Sequence, residues 1–189
     1  DPIVAGCRLV ETLQSVVSRR LDPLDSAVVS VTTFNAGDTH NVIPQTARLT
    51  GTIRTLRPEV RQSIENEIHA IAQGIGVAHG LRIEAKVDRR YPATINSPRE
   101  ALIAERAAVS LVGRKNVNSE VMPQLAAEDF GFMLEAIPGA YIWIGNGVDS
   151  QGGCMVHNPA YDFNDRILPT GAAYWVELVA TVLGSGRRN

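Results

Sequence analysis

The hydrophobic pattern of residues 1–87 alternates between helical and strand periods, and this order restricts the folds available to the chain. Asp1-Pro2 is a typical N-cap followed by a first helical residue, and Asp22-Pro23 is a helix-breaking pair. Between them, apolar residues recur at spacings of three and four: Ile3, Cys7, Val10, Leu13 and Val17. The first segment is therefore predicted to be an amphipathic helix that ends near Arg20.

Two strands, a second helix and a third strand are predicted to follow. Residues 27–34 are rich in β-branched side chains, and residues 46–56 alternate between apolar and polar. Residues 58–78 show helical spacing again, and residues 81–87 alternate like a strand. The isoleucine stripe of this second helix is Ile64, Ile68, Ile71 and Ile75, and Glu65 is expected to point outward. With one strand before residue 1, the order becomes β-α-β-β-α-β, the split β-α-β (ferredoxin-like) sandwich, an α+β fold.

The pattern changes after the Pro- and Asn-containing run at residues 91–98, where we place a domain boundary that gives domains 1–94 and 95–189. Helices are predicted at residues 99–112, 127–137 and 167–183, and the continuous apolar run 140–144 predicts a buried strand. This half is typical of an α/β layer but has too few strands for a sheet. Because the chain also starts without Met, we hypothesise that residues are missing upstream.

Charge and composition argue against several classes of partner. The net charge is −2 and the only basic run is Arg187-Arg188, so no broad nucleic-acid-binding surface is expected. No apolar run approaches the roughly 20 residues that a membrane helix requires, so no membrane partner is expected. Cys7 and Cys154 lie far apart and suggest no disulfide framework. A reducing, cytoplasmic location is therefore expected.

Four histidines are candidate functional residues, and His157 is the most informative. It follows Gly152-Gly153 in a loop beyond the apolar run 140–144, at the strand edge where open α/β sheets bind ligands. It could be a metal ligand, a catalytic base or an ordinary loop residue. The other three, His40 in a turn, His69 within a helix and His79 at a helix end, are interpreted as structural or solvated. The sequence contains no HExxH or CxxC motif.

Other polar residues allow two interpretations each. Glu128 could be a favourable charge at a helix N-terminus or a carboxylate facing a cleft. Arg54 lies on the polar face of its strand, where a guanidinium could bind a carboxylate in bidentate fashion or could simply be solvated. Cys154 has no partner base placed by the sequence and is interpreted as structural.

Five segments taken together resemble the M20 metallopeptidase and amidohydrolase family, in the branch of hippurate hydrolases and N-acyl amino acid amidohydrolases. They occur in order along almost the whole chain: Asp1-Pro2-Ile3, Asn41-Val42-Ile43-Pro44, Gly51-Thr52-Ile53-Arg54, Ala127-Glu128-Asp129-Phe130, and the run from His157 to Asp165. The resemblance implies a lid and dimerisation domain, lacking its first strand, followed by the C-terminal part of an α/β zinc-peptidase-like catalytic domain.

The same resemblance assigns roles to individual residues. His157 corresponds to the last ligand of a site for two divalent metals, zinc or manganese, with nickel and cobalt as alternatives. Asn41 corresponds to a residue that reaches the substrate or oxyanion, Arg54 to one that holds the substrate carboxylate, and Glu128 to an acidic position near the site. The implied substrate is a small N-acyl or N-aroyl amino acid, and the implied assembly is a homodimer through the lid domain.

The chain also departs from the family pattern. The other metal ligands and the general-base glutamate are expected upstream of residue 1, and Asn35 stands where relatives often have histidine. We therefore predict that the 189-residue chain alone binds no stoichiometric metal and hydrolyses no amide. The alternative from another class is a non-catalytic dimerisation or interaction module.

Overall fold

A computed structural model describes residues 1–148 and 153–184. The chain divides into two compact units, and one of them consists of Asp1–Ala93 with Pro123–Glu128. The other consists of Thr94–Met122 with the described residues from Asp129 onward. No sequence pattern indicated that the segment Pro123–Glu128 would pack with the first unit.

Helix α1 spans Pro2–Arg20 and starts as predicted, because the Asp1 carboxylate accepts hydrogen bonds from the amides of Ile3 at 2.8 Å and Val4 at 3.4 Å. The predicted apolar face was partly wrong. Leu13 is buried, but Ile3 and Cys7 are exposed, and the remaining buried positions are Ala5, Gly6 and Val16. The β-sheet sets this rotation. A side chain at Gly6 would lie 2.5 Å from the Phe34 ring, so the helix presents its glycine to that ring.

Strands β1 (Ala27–Ala36) and β2 (Ala47–Thr55) form an antiparallel hairpin in which Ala27 lies opposite Thr55. A bulge between Val31 and Thr33 shifts the register once. The alternation predicted for β2 is confirmed, because Ile53 faces the core and Arg54 is exposed. Helix α2 (Pro58–His79) completes the layer and ends at Gly80, whose φ of 63° is left-handed.

The core of the first unit lies between the two helices and one face of the hairpin. Ile64 and Val16 are fully buried there, so the predicted isoleucine stripe of α2 is confirmed. The expectation that Glu65 points outward is wrong, since only 6% of it is exposed. The Arg89 side chain lies against Glu65 and donates from Nε to both Glu65 carboxylate oxygens, at 2.9 and 3.1 Å. These hydrogen bonds raise the pKa of Arg89 above its usual value.

The strand predicted at residues 81–87 forms no ladder in the described structure. A strand requires a hydrogen-bonded neighbour, and the only strand pair among the described residues is β1 with β2. The described chain therefore has a mixed α/β fold with a two-stranded sheet.

The second unit contains helices α3 (Pro98–Val112), α4 (Phe130–Ala136) and α5 (Leu168–Gly184). Helix α3 packs on α5, and Ala104, Ala107 and Tyr174 are buried there. The strand predicted at residues 140–144 is absent from any ladder of the described residues, and Trp143 within it is 59% exposed. An apolar run becomes a buried strand only where neighbouring strands pair with its edges and other elements cover its faces, and no described strand pairs with residues 140–144.

Helix α5 and the turn before it, Asp165–Gly184, are long and apolar enough in composition to cross a membrane, with a mean hydropathy of 1.4. This corrects the expectation from sequence that no segment approaches that length. Asp165, Arg166 and Glu177 interrupt the run of apolar letters, so the sequence shows no uninterrupted stretch. Only 6% of the apolar window is buried among the described residues, and Trp175 and Val176 are exposed. Much of the helix surface is therefore not covered by the described residues.

Candidate functional site

Arg54 extends from the exposed face of β2 and contacts a distant part of the chain. Its Nη1 donates a hydrogen bond of 2.9 Å to the main-chain carbonyl of Leu125. This bond joins the segment Pro123–Glu128 to the hairpin within the first unit. A guanidinium carries five N–H donors in a planar fork, so the exposed side chain has the geometry to bind a carboxylate as well.

Asn41 lies in the loop that joins β1 to β2, and its side chain is exposed. Thr39 donates a hydrogen bond of 3.2 Å from its hydroxyl to Asn41 Oδ1, which orients the amide. Gly37, with a left-handed φ of 72°, starts the loop. The base of the loop forms an open hollow lined by Phe34, Asn35, Ala36, Gly37, Asp38, Pro44, Gln45 and Thr46. Asn41 is therefore an exposed residue of the turn between the two strands.

Glu128 is half-buried in the first unit and lies on the segment held by Arg54. The helix predicted at residues 127–137 starts only at Phe130, and Asp129 occupies the N-cap position. Glu128 thus lies before the helix, which weakens its interpretation as a helix-terminal charge. Its role near a site stays a prediction.

His157 has the most unusual backbone among the candidates. Its φ is 69°, and it is the only residue other than glycine with a positive φ in residues 1–148 and 153–184. This left-handed conformation is uncommon for residues with a side chain, and such outliers are enriched at functional sites. The His157 imidazole is exposed.

Two consecutive turns hold His157 in this conformation. The amide of Asn158 donates to the carbonyl of Met155 at 3.2 Å, and the amide of Tyr161 donates to the carbonyl of Asn158 at 2.9 Å. The Asn158 side chain also accepts a hydrogen bond of 2.9 Å from the amide of Ala160. The imidazole is therefore presented by an ordered turn.

A pair of asparagines that the sequence did not indicate holds the end of this segment. The amide of Asn164 donates to Asn146 Oδ1 at 2.8 Å, and Asn164 Nδ2 donates to the Asn146 carbonyl at 3.0 Å. Asn146 Nδ2 donates in turn to the carbonyl of Asp162 at 2.9 Å. Two turn-favouring asparagines on either side of a candidate ligand are the signal that could have indicated this pair.

The described residues can contribute to a metal centre but cannot form one alone. No group of three or more His, Cys, Asp or Glu side chains converges in residues 1–148 and 153–184. A zinc site requires three or four protein ligands, and an exposed imidazole on an ordered turn is suited to be one of them. Asn41, Arg54 and Glu128 belong to the first unit, and His157 belongs to the second.

Comparison with known proteins connects these features to one family. The model of peptidase family M20/M25/M40 matches residues 6–181. A hippurate hydrolase from Campylobacter jejuni is 38% identical over 183 residues, which are 97% of this chain and 47% of that protein. An N-acetylcysteine deacetylase from Bacillus subtilis is 36% identical over 184 residues, which are 97% of this chain and 46% of that protein.

A solved structure gives the same result. The crystal structure of a dinuclear metal-binding peptidase of the M20 family from Bacillus subtilis superposes with a TM-score of 0.78 and 32% sequence identity. The superposition covers 97% of this chain and 46% of that chain. The chain therefore spans about half the length of the relatives that it matches.

Proposed function

The chain belongs to the M20/M25/M40 peptidase family, and from this premise we propose that the whole protein is a metal-dependent amidohydrolase of N-acyl or N-aroyl amino acids. The observation that carries this proposal is the match to an enzyme named for hippurate across 97% of the chain. Hippurate and N-acetylcysteine, which names a second relative, are both amides of amino acids with a free carboxylate. An enzyme for this class requires a group that binds the carboxylate and a group that activates the amide.

Arg54 and Asn41 are our candidates for holding the substrate. The fork of Arg54 suits a carboxylate, and its bond to Leu125 shows that it binds an oxygen acceptor in this structure. Asn41 offers amide N–H donors on an exposed turn, which suits a substrate carbonyl or an oxyanion. Glu128, on the segment that Arg54 holds, is the candidate for an acidic group near the site.

We assign His157 as one ligand of a two-metal centre whose other ligands and general base lie in the rest of the protein. Two bound metals, zinc or manganese with nickel and cobalt as alternatives, would polarise the scissile carbonyl and acidify a water molecule. The ordered, left-handed turn supports this assignment because it holds one imidazole at a fixed, exposed position.

We further propose that the first unit is the lid and that it mediates a homodimer. A strand from the rest of the protein would complete the split β-α-β sandwich and give residues 81–87 a partner. The outer edges of β1 and β2 are unpaired in the described chain and would suit strand addition. The apolar face of α5 would pack on the rest of the catalytic domain rather than on lipid. The exposed free thiol of Cys7 suits a cytoplasmic location.

The test is hydrolysis of hippurate and N-acetylcysteine by the full-length protein, before and after removal of metal by a chelator. We expect activity that is lost with the metal and restored by zinc or manganese. His157→Asn removes the imidazole while keeping a residue that tolerates a left-handed φ, so we expect it to lower kcat/KM more than about 100-fold. The matched control is His69→Asn, an exposed histidine on α2, which should retain wild-type activity.

Hydrolysis that survives complete metal removal would exclude the metal mechanism. A full-length protein that dimerises but cleaves neither substrate would support the non-catalytic module instead. Equal activity of His157→Asn and His69→Asn would remove His157 from the metal centre.

A further inference from the structure

We propose that Asn146 and Asn164 form a clamp that positions His157 for metal binding before a metal arrives. This inference rests on the proposed function, which assigns His157 as a ligand. It gives a role to two residues, one of them within the run from His157 to Asp165, to which the sequence analysis assigned none. In this proposal the clamp residues act through His157 and do not themselves contact the metal or the substrate.

The clamp is reciprocal, and both asparagine side chains use their donor and their acceptor. Asn146 Oδ1 accepts from the Asn164 amide at 2.8 Å, while Asn146 Nδ2 donates to the Asp162 carbonyl at 2.9 Å. Asn164 Nδ2 donates to the Asn146 carbonyl at 3.0 Å, and Asn164 Oδ1 accepts from the amide of Arg166 at 3.2 Å. These bonds require neutral amides, because a carboxylate at either position has no N–H to donate.

The clamp continues directly into the turns that carry His157. Residues 155–161 are ordered by two hydrogen bonds. One runs from the Asn158 amide to the Met155 carbonyl, and the other from the Tyr161 amide to the Asn158 carbonyl. The clamp bond to Asp162 begins one residue later. The main chain from Met155 to Asn164 is therefore held by successive hydrogen bonds, which leaves little freedom for His157 to relax from its φ of 69°.

Asn164 also connects this segment to a helix. Its side chain caps the 3₁₀ turn Asp165–Ile167, which runs directly into α5. Helix α5 is fixed within the second unit by packing on α3, where Tyr174 is buried. The clamp thus holds the His157 segment against a packed element of its own unit.

A second asparagine bridge in the same unit provides a matched control. Asn96 Nδ2 donates to the Tyr141 carbonyl at 2.9 Å, and Asn96 Oδ1 accepts from the Tyr141 amide at 2.8 Å. This bridge is also a two-bond link between a side chain and the main chain, and it holds the beginning of the apolar run 140–144. Because it lies outside the His157 turns, its loss should affect stability without affecting the ligand.

The experiment measures zinc affinity of the metal-free full-length protein by competition with a chromogenic chelator, for Asn164→Ala, Asn146→Asp and Asn96→Ala. We expect Asn164→Ala to raise the zinc dissociation constant about 10- to 100-fold, as loss of a group that orients a ligand typically does. Asn146→Asp keeps the acceptor and loses the donor, so it should give a smaller increase. Asn96→Ala should bind zinc with the wild-type affinity, even if its melting temperature is lower.

Hydrogen exchange of the metal-free protein provides a readout that does not depend on metal. The amide of Tyr161 should exchange faster in both clamp variants and at the wild-type rate in Asn96→Ala. If Asn164→Ala fails to fold, Asn146→Asp decides the question alone. The proposal is overturned if the clamp variants bind zinc with the wild-type affinity, or if their zinc affinity falls only as far as that of Asn96→Ala.

His157→Asn separates failure of this inference from failure of the proposed function. If His157→Asn binds zinc as tightly as wild type, the assignment of His157 as a ligand is wrong and the clamp has no metal role. If His157→Asn loses zinc but the clamp variants bind normally, the proposed function stands and only the clamp is wrong.

Discussion

At the scale of single residues, Arg54 is engaged by a main-chain carbonyl where a substrate carboxylate is expected. Its bond to Leu125 is between a cation and a neutral oxygen, and a carboxylate would be the stronger acceptor. A substrate could therefore displace Leu125 or share the guanidinium fork with it. The two outcomes differ in whether the segment that carries Glu128 is released when substrate binds.

We predict that Arg54→Ala in the full-length protein raises KM for hippurate roughly 10- to 100-fold, because a hydrogen bond to a charged group contributes about 1.5–3 kcal/mol. If the carboxylate is held equally in the ground and transition states, kcat should change little. Steady-state kinetics on hippurate measures both constants. The control is Arg48→Ala, an exposed arginine on the same face of β2, which should leave KM within about two-fold.

A fall in kcat with unchanged KM would show that Arg54 acts by positioning the segment Pro123–Glu128 and not by binding the substrate. Comparable effects of Arg54→Ala and Arg48→Ala would show that the polar face of β2 contributes only general charge.

The candidate residues were recognisable because they lie in short, ordered motifs, whereas their surroundings were not. The only linear signal for the pair is that Asn146 and Asn164 are turn-favouring residues on either side of His157, and their hydrogen bonding depends on how the intervening chain folds back. The left-handed φ of His157 is also hard to read from the sequence, because histidine is only enriched in this conformation and does not specify it. The sequence therefore proposes candidate groups for the chemistry, whereas it does not indicate the groups that would position them.

At the scale of elements, the predicted helix ends lie within three residues of the observed ones, and the predicted strands formed only where both partners lie among the described residues. Helix α1 is specified locally by its Asp1 cap and Pro2, so its limits follow from the sequence. Residues 81–87 and 140–144 have strand-like patterns, but a ladder depends on a neighbour that can be remote in sequence. Glu65 was misassigned for the same reason, since Arg89 covers it from outside the helix.

We predict that Arg89→Ala lowers the melting temperature more than Arg90→Ala in the 189-residue chain. Loss of Arg89 leaves the buried Glu65 carboxylate with Arg61 at 4.0 Å as its remaining ion-pair partner among the described residues, and an uncompensated buried charge is costly. Arg90 pairs only with Asp88 in the described structure, and both side chains are more than three-quarters exposed. Thermal unfolding followed by circular dichroism measures the difference.

Glu65→Gln is the informative second variant. Glutamine keeps an acceptor for Arg89 and removes the buried charge. Glu65→Gln should therefore destabilise the chain by about 1 kcal/mol, less than Arg89→Ala does. Equal melting temperatures for Arg89→Ala and Arg90→Ala would mean that the segment 81–90 is not held by this ion pair.

At the scale of the whole molecule, the exposed apolar surface of α5 and the short length relative to the family point to the same conclusion. Trp175 is 65% exposed and Val176 72% exposed on a helix whose composition is that of a buried element. The chain covers less than half of the hippurate hydrolase that it matches. Both observations are explained if the partner of this face is the other half of the enzyme, which would also supply the remaining metal ligands.

We therefore predict that the 189-residue chain alone binds no stoichiometric zinc or manganese and hydrolyses neither hippurate nor N-acetylcysteine. One imidazole cannot hold two metals, and no group of three or more His, Cys, Asp or Glu side chains converges among the described residues. Co-expression with the remaining part of the protein should restore two bound metals per complex, measured by elemental analysis, together with hydrolysis. Tryptophan emission should shift to the blue as Trp175 becomes buried. A His157→Asn chain co-expressed in the same way should show the same emission shift but fewer bound metals, which separates reassembly of the fold from completion of the metal centre. Tight binding of two metals by the chain alone would contradict this division of the site.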